Sequence, residues 1–148
     1  MEYKHTICPI MSANAAVTLT ASYDDTKTIG ERVDSNSQME FHCIYTPHAA
    51  NLAGGTARVE VQVEYHIGDP DATDANSTWY TFKRTEETSA DVHEATTQTW
   101  RQDADGAVND PFHFSISLGC RKVRLSAREI NATPNFGTLL AYLVKQPI

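Results

Sequence analysis

The chain has 148 residues, of which 41% are hydrophobic, with a formal charge of −7 and a pI near 5.2. This length fits one domain able to bury a core without a metal or disulfide staple, and the acidic balance argues against a protein that tracks nucleic-acid phosphates. No apolar run approaches the roughly 18 residues that a membrane-spanning segment needs.

Residues 1–14 are weakly patterned and read as an N-terminal arm ahead of a single domain over 15–148. The segment lacks the basic start and long apolar centre of a secretory signal, so synthesis in a reducing cytoplasm is expected. Tyr3, Ile7, Ile10 and Met11 lie outside the strand pattern, and an arm carrying them is expected to order on a partner.

From residue 16 onward the dominant signal is period-two alternation, which marks half-buried strands. "AVTLTASY" sets Val17, Leu19, Ala21 and Tyr23 against Thr and Ser, and "QMEFHCIYT" sets Met39, Phe41, Cys43 and Tyr45 against Gln38, Glu40 and His42. "RVEVQVEYHI" is the most regular run, with Val59, Val61, Val63, Tyr65 and Ile67 on one side and Arg58, Glu60, Gln62, Glu64 and His66 on the other. "STWYTFKR" and the Thr-rich "ATTQTW" follow, then "PFHFSISL", "KVRLSARE" and finally "FGTLLAYLV", which is apolar on both faces. Gly, Asp, Asn and Pro mark turns between these runs. Between Arg84 and Gln98 the Thr- and Ser-rich sequence favours a polar loop over a helix. Seven or eight strands so separated predict an all-β fold, an antiparallel β-sandwich of jelly-roll or immunoglobulin-like type.

Candidate chemistry is sparse. Cys8, Cys43 and Cys120 are an odd number with no C-x-x-C pair, and read as buried reduced thiols. His42 and His66 project from the polar rows of successive strands and would share a metal only if those strands paired. Asp69, Asp71, Asp74 and Asn76 offer oxygen donors in the 69–76 loop, but the EF-hand ligand order is missing and a solvated turn is the simpler reading. No nucleophile elbow or phosphate loop is present. No catalytic residue, metal or cofactor is therefore expected. Trp79 is expected to pack between sheets, and Trp100, ahead of a polar turn, to meet a partner or a glycan.

Four segments in order, "ARVEVQVEYHIGD", "STWYTF", "KVRLSAREI" and "NFGTLLAYLVK", resemble small all-β virion proteins of tailed bacteriophages, including capsid decoration (cement) proteins and related head or neck components. The likeness covers about residues 57–146, with a looser one to fibronectin-type-III-like and immunoglobulin-like sandwiches. The resemblance implies a structural role: binding a capsid or tail lattice from outside, often as a dimer or trimer, without chemistry. The partners would be the major capsid protein or other virion proteins, with no nucleic acid and no membrane, and the location the virion after synthesis in the host cytoplasm. A neck, tail or baseplate component, or a carbohydrate-binding module of a fibre, remains open. A tryptophan in a concave groove would favour the carbohydrate reading.

Overall fold

The computed structural model describes residues 6–11, 14–24, 30–33, 37–52, 56–67, 79–120 and 122–147. Its strands are β1 (Thr6–Pro9), β2 (Val17–Thr18), β3 (Glu31–Arg32), β4 (Ser37–Thr46), β5 (Arg58–His66), β6 (Trp79–Thr81), β7 (Lys83–Ser89), β8 (Val92–Thr97), β9 (Trp100–Asp103), β10 (Asp110–Ile116), β11 (Lys122–Ile130) and β12 (Thr138–Pro147). A single 3-10 turn, Ala49–Asn51, is the only helical element among the described residues. The all-β antiparallel fold follows the alternation. The strand number exceeds the expected seven or eight because short edge strands such as β2 and β3 carry too few residues to show a period.

Two sheets carry the fold. The first runs β1-β12-β4-β10, with β2 also on β12; the second runs β3-β11-β5-β6, with β9 also on β5. The long pairs are antiparallel, β4 with β12 from Thr46↔Thr138 to Ser37↔Pro147 and β5 with β11 from Arg58↔Ile130 to His66↔Lys122. These registers put Met39, Phe41, Cys43, Tyr45, Leu139, Ala141 and Leu143 inside the first sheet. They put Val59, Val61, Val63, Val123 and Leu125 inside the second, all fully buried. Each large aliphatic side chain so buried stabilises by roughly 1.5–3 kcal/mol. Trp100 of the second sheet stacks on Phe114 of the first at 4.1 Å between centroids, which fixes the inter-sheet packing on that side.

The segment 6–11 belongs to this sandwich. β1 pairs with β12, and Ile10 and Met11 are core residues at 1% and 3% exposure. The arm boundary at residue 14 therefore divides a structural unit. Pro9 and the single short strand break the alternation that would have revealed it.

Residue Gly137 in "FGT" has a packing role. Its N–H donates to both oxygens of buried Glu129 at 3.1 and 2.9 Å, and a Cβ there would run into the Thr46 carbonyl. The turn residues Asn14, Asp91 and Asn131 have positive φ, a region that Asn and Asp enter more readily than other side chains.

The run 84–98, expected as a loop, is a hairpin. β7 pairs with β8 around a turn at Ala90–Asp91, and every residue of both strands is exposed. Thr-rich strands with no apolar row give no burial signal, which is why the sequence read as polar loop. The hairpin interrupts a strand rather than joining two. Phe82 donates its N–H to Val63 and Gln98 donates to Phe82, while the Gln62 amide donates to the Thr99 hydroxyl and Trp100 sits opposite Val61. β6 and β9 thus form one composite strand along β5, with residues 83–98 extruded from it. Joining Phe82 directly to Thr99 preserves the alternation of inward Phe82 and Trp100. A chain lacking 83–98 is expected to remain soluble and to melt cooperatively within a few degrees of the full chain; loss of cooperative melting would contradict the composite strand.

Candidate interaction surfaces

The outer face of the first sheet is built by residues opposite the core row. Register places three cross-strand rows on it: Pro111–Ile44–Leu140, His113–His42–Tyr142–Pro9, and Ser115–Glu40–Val144–Ile7. Outer rows of an antiparallel sandwich are ordinarily polar. Here Ile7 is 66% and Ile44 36% exposed, with Leu140, Tyr142 and Val144 half-buried beside them. The polar members lie together on the β10 and β4 side, where His42 stacks on His113 at 5.6 Å and meets the Glu40 carboxylate at 3.0 Å. Around them lies a shallow concavity lined by Ile44, Pro111, Phe112 and Tyr142. An exposed apolar patch flanked by polar groups is a physical mark of an interaction site. No strand of the described residues covers it.

The outer face of the second sheet has the opposite character. Arg124 lies across from Glu64 and Arg128 across from Glu60, with 2.8 Å contacts in both pairs. Arg58 at 3.3 Å and Arg101 at 3.7 Å approach the same Glu60 carboxylate, and the Tyr23 hydroxyl donates to it. Burial opposes ionisation of Glu60, but the hydrogen bonds and charge of Arg128, with Arg58 and Arg101, hold its carboxyl below the ordinary range. Arg124 stacks over Trp79 and Arg128 over Tyr23, at 4.2 and 4.5 Å. The row opposite the valines of β5 is therefore a cross-strand ion-pair lattice.

The residues singled out in the sequence separate. Tyr3 and the 69–76 loop lie outside the described residues. Ile7 joins the apolar outer face. Ile10 and Met11 are buried in the core, so neither is available to a partner while the sandwich is intact. Trp100 is half-buried between Phe82 and Phe114, consumed by the inter-sheet stack. Trp79, expected between the sheets, lies on the outer face of the second, opposite His66. The histidines His42 and His66 are on different sheets, because β4 pairs with β10 and β12 while β5 pairs with β11, so they cannot share a metal. Among the described residues no group of three or more His, Cys, Asp or Glu is placed to hold a metal ion. All three cysteines are free and buried, and burial pushes Cys43 up to about 12 and Cys120 up to about 11. No helix is long and apolar enough to cross a membrane among the described residues.

Two features escaped the sequence. Tyr65, Tyr80, Phe82 and Leu118 line an open groove of about 610 Å³ at the root of the hairpin, with Thr85 and Ala95 on its far wall. Only the extruded hairpin creates it. The second is Asp110, at the start of β10, 3% exposed with no hydrogen-bond donor facing Oδ2. Burial first, and then the neighbouring Asp105, push its carboxyl up to about 6. Asp105 is correspondingly held low by the hydrogen bond from Asp110 and by the Ala107 N–H at 3.1 Å. A proton on Asp110 satisfies the orphaned oxygen.

No protein-family model matches the chain, and no curated protein matches it. Among solved structures, one of infectious bursal disease virus (Gt strain) is similar at 11% identity with a TM-score of 0.21, the alignment covering 99% of this chain and 38% of that one. The chain thus spans well under half the length of that relative. A likeness at this level defines neither a family nor a function.

The Asp110 carboxyl gives the sandwich a pH dependence of definite sign. Its folded pKa lies above the ordinary 3.8, so its contribution is fully present below about pH 4 and is lost as pH rises through about 6. Asp110→Asn, which mimics the protonated acid, is expected to flatten that part of the melting-temperature profile between pH 4 and about 7. A wild-type profile without this decline, or one unchanged by the substitution, would contradict the assignment.

Proposed function

We propose that the protein is a non-enzymatic structural component of a virion, of the capsid decoration kind, that seats the outer face of its first sheet on the head lattice. The observation that carries this reading is the uncovered apolar surface of Ile7, Ile44, Leu140, Tyr142 and Val144. Such a face on a rigid strand platform fits attachment to a repeating surface, where complementarity of shape does the binding. The surplus negative charge of the chain keeps the free protein soluble before attachment. The likeness of segments within 57–146 to phage virion proteins supports the choice of lattice. Neck, tail and baseplate surfaces are the other virion sites such a face would fit.

A second reading, a carbohydrate-binding module of a fibre, has the aromatic groove at Tyr65 and Tyr80 in its favour. Aromatic faces in a concavity stack on sugar rings.

Co-sedimentation with intact phage heads and with isolated tails tests the proposal. The wild type is expected to sediment with heads. Ile44→Asp is expected to weaken that binding by about tenfold or more while leaving the melting temperature near the wild-type value. Sedimentation with neither particle, or binding indifferent to Ile44→Asp, would overturn the reading. Tyr80→Ala separates the two readings, since it spares head binding under the first and removes retention on a glycan matrix under the second.

A further inference from the structure

We propose that the outer face of the second sheet receives the extruded β7–β8 hairpin of a second copy of this chain, giving a head-to-tail contact between protomers. This goes beyond the reading above and does not depend on which lattice, if any, the protein decorates.

The receiving surface is built around Glu60. Three guanidinium groups, those of Arg58, Arg101 and Arg128, converge on this one carboxylate. Glu60 lies beneath them, its side chain 5% exposed, whereas those of Arg58, Arg128 and Arg101 are 32%, 35% and 56% exposed. The basic ends therefore face outward over a neutralised floor. The same face carries Arg32, Lys122 and Arg124, against Glu64 and Asp103. In a chain of net charge −7, six of the twelve Lys and Arg residues (Arg32, Arg58, Arg101, Lys122, Arg124 and Arg128) lie on this one face. Each guanidinium has five donors in a fork that matches a carboxylate, so one shared carboxylate leaves this cluster with unspent capacity for another.

The inserted element is the hairpin. A two-stranded hairpin in water is marginal without a surface to pack on, and every residue of β7 and β8 is exposed. Glu86 and Glu94 stand directly opposite each other across its strands. Like charges in that position destabilise the pair. Arg84, at 3.4 Å from Glu86, offsets one of them, and Glu87 and Asp91 add further negative charge toward the turn. The hairpin thus carries more acidic than basic side chains, with only Lys83 and Arg84 against Glu86, Glu87, Asp91 and Glu94, while three guanidinium groups share the single Glu60 carboxylate. Exposure along the whole hairpin shows that it does not lie on its own chain's cluster, so the complement is a neighbour's. A heterologous contact of this kind closes into a ring or propagates as a filament, and either suits a protein that covers an extended surface.

Sedimentation of the full chain at low and high salt tests this, using Glu94→Lys and Arg101→Glu, both exposed positions, with melting curves as the folding control. The wild type is expected to self-associate at low salt and to dissociate as salt screens the contact. Each variant alone juxtaposes like charges and is expected to associate about tenfold or more weakly. An equimolar mixture of the two variants restores opposite charges at both kinds of contact and is expected to recover association. A wild type that stays monomeric at low salt, single variants that associate like wild type, or a mixture that recovers nothing would each overturn the proposal. Retention of the wild type on duplex DNA, lost in Arg101→Glu while self-association persists, would assign the cluster to phosphate and overturn it as well.

Discussion

Two antiparallel registers, β4 with β12 and β5 with β11, hold the rest of the molecule in place. Because side chains alternate with a period of two, a slip of one residue in either pair would turn a whole buried row to solvent. Phe41, Tyr45 and Leu143 would emerge from one sheet, and Val59, Val61 and Leu125 from the other. The other strands of the two sheets are attached to these four. The short strands β1 and β2 finish one edge against β12, β3 finishes another against β11, and β6 and β9 share the free side of β5. Short edge strands also limit the open backbone that a neighbouring sheet would pair with.

The same registers decide what each sheet shows to the outside, and the two sheets differ in kind. The second sheet shows arginines aligned with glutamates in rows four residues apart, with several guanidinium groups sharing the one Glu60 carboxylate. The first shows isoleucine, leucine, tyrosine and valine beside a stacked histidine pair. Hydrophobic stabilisation is proportional to area removed from water, so the first face gains from a flat cover and the second from an anionic one. Under the two proposals above, one chain would offer two distinct contacts, one for a foreign surface and one for a copy of itself.

Much of this was legible in the residues. The valine row of β5 and the Met39–Tyr45 row of β4 announced themselves through unbroken alternation, whereas the two-sided apolar character of "FGTLLAYLV" read as a strand covered on both faces, and its outer row of Leu140, Tyr142 and Val144 is only half-buried with no described strand over it. What the alternation does not encode is which strands pair. His42 and His66 looked like neighbours because their strands are successive, but β4 and β5 belong to different sheets. Ile10 and Met11 looked like a free arm because a four-residue strand beside a proline shows no period. The hairpin was hidden because a strand that buries nothing has no hydrophobic pattern to display. The groove at Tyr65 and Tyr80 exists only because that hairpin leaves the sheet. Asp110 was hidden for a similar reason: a single aspartate at a strand start says nothing about burial until Asp105 is folded beside it.

The central claim is that the apolar outer face of the first sheet is a contact surface and is exposed only before assembly. Solvent paramagnetic relaxation of methyl groups, read on Ile7, Ile44, Leu140 and Val144 in the free protein and in particles bearing it, measures this directly. The account predicts strong relaxation of Ile7 and Ile44 in the free protein and its loss from all four residues on assembly, with the buried methyls of Val61 and Leu125 silent in both states. Methyls of the outer face that remain accessible in the assembled particle would contradict it.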